Sequence, residues 1–411
     1  MNRRDFLKGS AALAVLGAAG GFAAGGLAAG TKKNEKRADQ VTRKKYKDTS
    51  LALPLLGFGM MRLPEGNFGI DTRRAAAMVE RAMASGLNYF DTAYMYHGGE
   101  SEKFIGKVLS RYPRESWILT DKLPAYQLSG RSEMEKTFAE QLLRTKAGYF
   151  DFCFLHWLSD AHWKHAKEIG AYEFLKEKQK AGLIRHVGFS YHGNAADLKV
   201  IAESREWDLA QIQLNFRDWD TVGRNLYNVL TDCKIPIAVM GPLGGGTLAS
   251  LPPAAERILK QASPASSVAS WALRFIASLP NVQIVLSGMS TMDQLEDNIA
   301  TFADFKPLSD AERETLRRAI AAAGWRRSGT ANCTACRYCL PCPAGLSIPG
   351  IFKIYNSYRE DGDREKFRRA VAALPEGTRP GDCVNCGACL KKCPQKIAIP
   401  DHMKEITREL K

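Results

Sequence analysis

Residues 72–92 read TRRAAAMVERAMASGLNYFDT, and here an amphipathic helical pattern runs directly into a short apolar segment. Apolar residues recur at helical spacing as far as Gly86, and the aromatic, apolar run behind that glycine is typical of a buried strand. The same alternation recurs along the chain. The other apolar runs are PLLGFGM (54–60), SWILTDK (116–122), YFDFCFLH (149–156), IRHVGFS (184–190), LAQIQLN (209–215), PIAVMGP (236–242) and VQIVLSG (282–288).

Helical patterns separate these runs, among them EMEKTFAEQLLRTK (133–146) and AYEFLKEKQKAG (171–182), with further helical candidates at 254–261 and 268–277. Eight strands alternating with helices over residues 51–325 predict an α/β fold, a closed (β/α)8 TIM barrel. A doubly wound parallel sheet is the alternative, but no GxGxxG sequence follows the first predicted strand. The number of repeats therefore favours a closed barrel.

The chain has 411 residues and a formal net charge of +14, which at first suggests nucleic acid as a partner. Residues 1–50, however, contain 11 Lys and Arg against 4 Asp and Glu, so half of the excess lies in this part. We predict that residues 31–50 form a solvated basic linker. The rest of the chain contains no basic-aromatic nucleic-acid motif, and we expect no nucleic-acid partner.

Polar side chains stand where three successive predicted strands end. Asp91 follows the second strand, with Tyr96 shortly behind it, while Lys122 ends the third strand and His156 ends the fourth. Each residue alone has a structural interpretation, as a helix cap, a solvated lysine or a hydrogen-bonded histidine. Because the carboxyl ends of barrel strands meet at one mouth, the four together predict a reaction site there.

Eight of the ten cysteines lie in two runs near the C-terminus. CTACRYCLPCP holds Cys333, Cys336, Cys339 and Cys342, and CVNCGACLKKCP holds Cys383, Cys386, Cys389 and Cys393. The second run has the spacing of bacterial ferredoxins, and the first is one residue shorter before its last cysteine. Zinc and disulfides are the alternatives, but no histidine lies between the runs, and zinc sites favour separate CxxC pairs or mixed ligands. The spacing predicts two [4Fe–4S] clusters in a small, mainly helical ferredoxin-like domain over 326–411. Within this domain, residues 348–374 are predicted to be helical, with an apolar face around Ile351, Phe352 and Ile354.

The chain begins MNRRDFLKG, and a glycine- and alanine-rich apolar stretch follows. The paired Arg3 and Arg4 resemble the twin-arginine signal, which the export machinery uses for proteins that leave the cytoplasm already folded. Residues 1–30 are therefore predicted to send the protein, assembled around its clusters, to the periplasm or cell envelope. Retention of this segment as a membrane anchor is the alternative.

The stretches NYFDTAYMYHGGESEKFIGKVL (88–109), ILTDKLP (118–124), DFCFLHWL (151–158) and GLIRHVGFSYHG (182–193) resemble aldo-keto reductases. The cysteine-rich tail resembles the iron–sulfur-containing branch of that family. The resemblance implies NAD(P)H-linked reduction of a small carbonyl compound, or the reverse oxidation of an alcohol, by a tetrad of Asp91, Tyr96, Lys122 and His156. Tyr96 would be the general acid/base, with its pKa lowered by Lys122, which Asp91 keeps charged, and His156 would orient the substrate oxygen.

The resemblance also implies which residues would hold NADP(H) or NAD(H). Those residues are Ser190, Gln211, Met240, Gly241, Leu243, Gly244, Gly288, Met289, Ser290, Gln294 and Asn298. Met240 replaces the aromatic ring on which many members stack the nicotinamide. Gly288 and Gln294 stand where NADPH-specific members have Lys and Arg, so the preference for NADPH should be weaker.

In two-cluster ferredoxins the last cysteine of each run serves the other cluster. The resemblance thus implies one cluster on Cys333, Cys336, Cys339 and Cys393 and another on Cys383, Cys386, Cys389 and Cys342. Because 40 residues separate the runs, the alternative is that each run holds its own cluster.

Three functional interpretations follow from these features. The chain is a reductase that carries a bound nucleotide and exchanges electrons with a redox partner protein, or an electron-transfer protein that uses the barrel as a scaffold. In the third interpretation the clusters are only structural and the leader is misread. The tetrad favours the first. Aromatic residues expected at the barrel mouth, namely Trp157, Trp163, Phe216 and Trp219, suggest an apolar or ring-containing substrate, with packing under the loops as their alternative role.

Overall fold

The structure is a computed structural model that describes residues 39–47, 49–67, 69–324 and 331–411. Eight parallel strands, each hydrogen-bonded to the next along the chain, close into a barrel, which confirms the predicted fold and excludes the doubly wound sheet. The barrel strands are β1 (Leu56–Gly59), β2 (Tyr89–Asp91), β3 (Ile118–Leu123), β4 (Phe150–Leu158), β5 (Ile184–Tyr191), β6 (Leu209–Gln213), β7 (Ile237–Met240) and β8 (Val282–Ser287).

Helices connect the strands and pack around the barrel. They are α1 (Thr72–Ala84), α2 (Glu100–Val108), α3 (Arg131–Thr145), α4 (Asp160–Glu168), α5 (Ala171–Lys180), α6 (Ala195–Ser204), α7 (Arg224–Asp232), α8 (Pro253–Ala262), α9 (Val268–Ala277), α10 (Met292–Ala303) and α11 (Asp310–Ala322). The helical candidates at 254–261 and 268–277 correspond to α8 and α9.

Helix α1 illustrates why the sequence folds in this way. It begins where the Asp71 side chain accepts a hydrogen bond from the backbone N–H of Arg74, which satisfies one of the free donors of the first turn. Its buried positions include Ala75, Met78 and Ala82, which lie on one face because they are three or four residues apart. The chain then enters β2, all three residues of which are buried.

The lower end of the barrel is closed by the segment that precedes β1. Residues Arg43–Lys45 pair in antiparallel fashion with Ala52–Pro54. Tyr46 is fully buried and donates a hydrogen bond to the carbonyl of Asp208 at 2.6 Å. The prediction of a solvated linker over 31–50 is therefore wrong for this part of the segment, because Tyr46 is buried at the barrel floor and Lys44 Nζ donates to the carbonyls of Pro280 and Val282 at 2.6 and 2.7 Å.

The cysteine-rich part folds as three helices, α12 (Ile348–Asp361), α13 (Arg364–Ala372) and α14 (Ile399–Glu409). The predicted helical segment 348–374 is thus two helices, separated at Gly362, whose φ of 72° ends α12. Ile351 and Phe352 are buried in the core of this unit, and Ile354 is partly buried beside them. The two cysteine runs lie in the loops that precede α12 and α14.

The barrel and the cysteine-rich helices form one compact unit over residues 38–411. Within the part of the chain that the structure describes, no helix combines the length and the apolar character needed to cross a membrane. The predicted leader, residues 1–30, lies outside the described residues.

Candidate functional site

The four polar residues predicted at the strand ends come together at the mouth of the barrel. Asp91 ends β2, Lys122 lies in β3 and His156 in β4, while Tyr96 begins a short helical turn behind β2. All four are buried, Tyr96 being 9% exposed and the others less. The strand-end argument therefore identified side chains that are neighbours in space.

Lys122 joins this group by three hydrogen bonds. Its Nζ donates to Asp91 Oδ1 at 2.7 Å, to the carbonyl of Thr92 at 2.6 Å and to Tyr96 Oη at 3.3 Å. The other carboxylate oxygen of Asp91 accepts from Gln211 Nε2 at 3.0 Å. The ion pair is thus anchored on both sides, and its ammonium faces the Tyr96 phenol.

The sequence predicted a lowered pKa for Tyr96, and the structure gives the opposite direction. Burial raises the pKa of the Tyr96 phenol well above its usual value, and the Asp91 carboxylate raises it further. The physical reason is burial, which disfavours the charged phenolate. Tyr96 is therefore a protonated phenol over the neutral pH range.

His156 lies across the cavity from Tyr96, with ring centroids 6.1 Å apart and ring planes nearly perpendicular. Burial lowers the pKa of His156 well below its usual value, and the charge of Lys122 lowers it further. The imidazole is therefore neutral. Its Nε2 lies 3.4 Å from Tyr338 Oη, a tyrosine of the first cysteine run.

A cavity of about 330 Å³ opens above the tetrad and extends to the N-terminal end of α10. Asp91, Tyr96 and His156 line it, whereas Lys122 lies behind them. Ten of the eleven positions predicted for the nucleotide also line it, namely Ser190, Gln211, Met240, Gly241, Leu243, Gly288, Met289, Ser290, Gln294 and Asn298. Gly244 does not, because it is buried against Leu248 behind the wall.

The composition of this cavity fits an elongated ligand with an anionic end. Most of its wall is apolar or backbone, and Arg62 is the one Lys or Arg among the described residues that line it. Ser290 and Gln294 lie at the start of α10, where the helix dipole favours negative charge, although their own N–H groups are bonded and Asp297 also lines the cavity. Gly288 and Gln294 carry no charge here, so Arg62 is the cation available to a phosphate.

The cysteine-rich domain forms part of the same cavity, which the sequence argument missed. Its contributions are Thr334, Cys336, Tyr338, Pro394 and Gln395. Gln395 Nε2 donates to Gln213 Oε1 at 2.9 Å, and Arg337 donates to the carboxylate of Glu65 at 2.7 Å. Arg62, which also donates to the carbonyl of Thr334, was missed although it closely follows β1 and obeys the strand-end rule applied to β2–β4.

Of the aromatic residues expected at the mouth, Trp157 contacts a residue of the cavity, with its ring centroid 5.4 Å from that of Tyr338. Trp163 packs on Trp207, and Trp219 packs on Tyr227 and Phe275. Phe216 belongs to a buried cluster with Leu248. Packing under the loops is thus the role of three of the four.

The cysteines form two groups that cross between the runs. Cys333, Cys336, Cys339 and Cys393 line one hollow, whose walls include Ile348 and Phe352. Cys342, Cys383, Cys386 and Cys389 line a second hollow, to whose wall Cys339 also contributes. None of the described cysteines is in a disulfide. Each hollow therefore brings together three cysteines of one run and the last cysteine of the other.

The thiol groups fit a group larger than a single ion. Among the described residues, no three His, Cys, Asp or Glu side chains converge closely enough to bind one metal ion. A four-thiol hollow with apolar walls is the donor set that iron–sulfur clusters use. The residues present therefore fit a cluster in each hollow.

Comparisons with known proteins agree with this architecture. Sequence models match residues 55–321 to the aldo/keto reductase family, 332–398 to a 4Fe-4S dicluster domain and 1–20 to the signal sequence of the twin-arginine translocation pathway. The uncharacterized oxidoreductase YqkF of Bacillus subtilis is 23% identical over an alignment of 308 residues that covers 67% of this chain and 95% of the relative. L-galactose dehydrogenase of Arabidopsis thaliana is 26% identical over 293 residues, covering 66% of this chain and 90% of the relative.

Solved structures show the same fold. The holo form of an aldo-keto reductase from Bacillus halodurans superimposes with a TM-score of 0.57 at 22% identity, covering 68% of this chain and 96% of that one. An aldo/keto reductase from Klebsiella pneumoniae, solved in complex with NADP and acetate, gives a TM-score of 0.53 at 20% identity, covering 66% and 92%. The chain belongs to the aldo/keto reductase family, as an oxidoreductase with a C-terminal 4Fe-4S dicluster domain and an N-terminal twin-arginine signal.

Proposed function

We propose that the protein reduces a carbonyl compound, or oxidises the corresponding alcohol, with a nicotinamide nucleotide bound in the barrel cavity. The observation that carries this proposal is the Lys122 ammonium, which hydrogen-bonds both Asp91 and the Tyr96 phenol beside His156. A barrel that served only as a scaffold has no need to bury an ion pair against a phenol, because such a pair is expensive to desolvate.

The nucleotide, when bound, supplies the hydride. Tyr96 is protonated at neutral pH, so it delivers the proton to the oxygen of the substrate. Lys122 stabilises the phenolate that this transfer leaves, because its Nζ already donates to Tyr96 Oη. His156, with its proton on Nε2, donates a hydrogen bond to the same oxygen and stabilises the charge that develops there.

We assign the nucleotide to the ten predicted residues that line the cavity and add Arg62 as the partner of a phosphate group. A single partly buried guanidinium in place of a Lys–Arg pair is consistent with use of both NADPH and NADH. Protein purified anaerobically from the cell envelope of its host, then denatured, should release a stoichiometric nucleotide that chromatography identifies. An empty barrel with intact clusters would favour the electron-transfer function instead.

Replacing Tyr96 by phenylalanine tests the acid/base assignment. Reduction of para-nitrobenzaldehyde with NADPH or NADH should fall about 100- to 10,000-fold, because the proton donor is lost while the ring stays. Tyr94→Phe is the matched control, since the Tyr94 hydroxyl donates to Glu140 outside the cavity. Full activity in Tyr96→Phe would overturn the assignment.

We further propose that each four-cysteine hollow holds a [4Fe–4S] cluster, with Cys393 completing the first set and Cys342 the second. The crossed grouping of the thiols supports these ligand sets. Cys336 lines the barrel cavity, whereas Cys386 is exposed at the second hollow. The two clusters would therefore offer an electron path between the surface and the barrel.

Such an electron path supports the proposal that the protein exchanges electrons with a redox partner protein. Electron transfer in the cell envelope is therefore the second candidate function. Redox titration of the visible absorbance should show that both clusters change oxidation state reversibly. Clusters that stay silent at accessible potentials would leave only a structural role for them. With the twin-arginine signal, we propose the periplasm as the place of action, reached by export of the folded, cluster-loaded protein.

A further inference from the structure

Tyr338 belongs to the cysteine-rich domain, yet its side chain lies in the reaction site of the barrel. It stands between Cys336 and Cys339, and its hydroxyl lies 3.4 Å from His156 Nε2. The Tyr96 phenol is close enough for the two hydroxyls to influence each other's pKa. The hydroxyl of Tyr338 thus contacts His156 and lies near Tyr96, the two groups that the proposed mechanism directs at a substrate oxygen.

The loop that carries Tyr338 is held against the barrel by the residues that directly precede it. Arg62 donates to the carbonyl of Thr334, and Arg337 forms a bidentate contact with Glu65 at 2.7 Å. Gly245 approaches the same loop so closely that a Cβ there would lie 2.5 Å from the Thr334 carbonyl oxygen. The docking of the loop therefore places the backbone of Tyr338 beside the reaction site.

The ring of Tyr338 lies in an aromatic slot. Its centroid is 5.4 Å from that of Trp157, with the planes inclined at 44°, and 6.4 Å from that of His156, with the planes at 83°. Such tilted and edge-on contacts favour a planar ring over an aliphatic chain of the same size. In this structure the slot holds the ring of Tyr338, whose hydroxyl faces His156.

We propose that Tyr338 is a resident occupant of the substrate subsite and that the substrate is a planar ring compound carrying a carbonyl or hydroxyl oxygen, which displaces it. This inference rests on the proposed function for the roles of Tyr96 and His156. Two oxygens cannot occupy the point between those groups at once, so a substrate oxygen reaches Tyr96 only after Tyr338 withdraws. The cysteine-rich domain then sets both the shape of the substrate and the cost of admitting it.

The test removes the Tyr338 side chain and offers its chemical equivalent. In the full-length, cluster-loaded protein, Tyr338→Ala should bind para-cresol at least about 10-fold more tightly than the native protein does, as measured by calorimetry, because the slot is vacated. Toluene should bind this variant about 3- to 10-fold more weakly than para-cresol, because it lacks the hydroxyl that meets His156 and Tyr96.

Two further variants complete the experiment. Tyr338→Phe keeps the ring in the slot and should gain little affinity for para-cresol. Tyr126→Phe is the matched control, since the Tyr126 ring also meets His156 edge-on while its hydroxyl donates to Met95 Sδ, and its affinity should match that of the native protein. The visible absorbance of the clusters verifies that each variant is folded and loaded.

Equal affinity of native protein and Tyr338→Ala for para-cresol, with clusters intact, would overturn the proposal, as would equal binding of toluene and para-cresol. If Tyr338→Ala loses its clusters, the affinity of Tyr338→Phe for acetate is measured instead. An acetate oxygen competes with the Tyr338 hydroxyl for the position between His156 and Tyr96. Tighter acetate binding than in the native protein supports the proposal, and unchanged or weaker binding overturns it. These measurements need no turnover, so failure of the proposed function in Tyr96→Phe would be seen separately.

Discussion

Replacing Lys122 by methionine removes one half of the buried ion pair at the barrel mouth and leaves Asp91 behind. The side chains of Lys122 and Asp91 are 0% and 5% exposed, so water cannot replace the lost ammonium. Removing one partner of such a pair costs about 3–5 kcal/mol of the free energy of unfolding. Gln211 still donates to the carboxylate, and burial already raises the pKa of Asp91, which eases its protonation. We therefore expect a cost near the lower limit, about 3 kcal/mol.

Urea unfolding of the cluster-loaded protein, followed anaerobically by circular dichroism, measures this cost. In Lys122→Met the pKa of Asp91 rises further above its unfolded value, so the folded state binds a proton that the unfolded state releases. The deficit relative to native protein should then shrink as the pH falls toward the unfolded-state pKa of aspartate, about 3.9, and should be fully present above the folded-state pKa.

Two variants show whether charge burial is the cause. Adding Asp91→Asn to Lys122→Met removes both charges. The free energy of unfolding of this double variant should be within about 1 kcal/mol of that of the native protein. Lys164→Met breaks an exposed pair, in which the side chains of Lys164 and Asp160 are 66% and 54% exposed, and should destabilise the protein far less than Lys122→Met does. The reasoning is refuted if Lys122→Met costs no more than Lys164→Met, or if the double variant is no more stable than Lys122→Met.

Three further predictions concern the docked loop, the thiol groups and a buried histidine. In thermal unfolding, Gly245→Ala should destabilise the protein more than Gly246→Ala. Both glycines have positive φ, but only a Cβ at Gly245 would meet a backbone oxygen, that of Thr334, at 2.5 Å. Equal losses of melting temperature in the two variants would argue against this close approach. Cys393→Ser should halve the iron content, and adding Cys336→Ser should remove no more iron if both thiols serve one cluster; a further loss would contradict the crossed grouping. Burial lowers the pKa of His192 to about 4. The unfolded state therefore binds a proton at a higher pH than the folded state does, and the free energy of unfolding should decline as the pH falls from 6.5 toward 4. Urea unfolding across this pH range should show a shallower decline for a His192→Gln variant, and parallel curves would contradict the prediction.

Much of the barrel was predictable because the relevant signals are local. Each apolar run became a strand, since a parallel barrel strand is covered on both faces and its residues are apolar almost without interruption, as in Phe150–Leu158. Helix α1 was predictable from the spacing of its buried residues. The segment 31–50 was misjudged because its charge dominated its composition, while the few residues that pack, such as Tyr46, were too sparse to form a pattern.

The candidate site was predictable to the extent that it follows strand ends. Asp91, Lys122 and His156 project from neighbouring strands, so a parallel barrel must bring them together. The pKa of Tyr96 was predicted in the wrong direction because burial and the distance to Lys122 depend on packing, which no motif records. Arg62 was missed because its role depends on the loop it meets, through Thr334.

The sequence by itself determined the eight-stranded barrel, the tetrad at its mouth and the iron–sulfur character of the cysteine-rich domain. The signals for these features are the periodicity of apolar residues, the polar residues at strand ends and the spacing of the cysteines, and all three are properties of short segments. Only the tertiary structure decided which thiols share a hollow and what covers the barrel mouth. Tyr338 and His156 are 182 residues apart in the chain, and their contact arises from the docking of one folded unit on another. Such docking depends on the shape and charge of whole surfaces, such as the contacts made by Arg337 and Gln395, and these surfaces exist only after both units have folded.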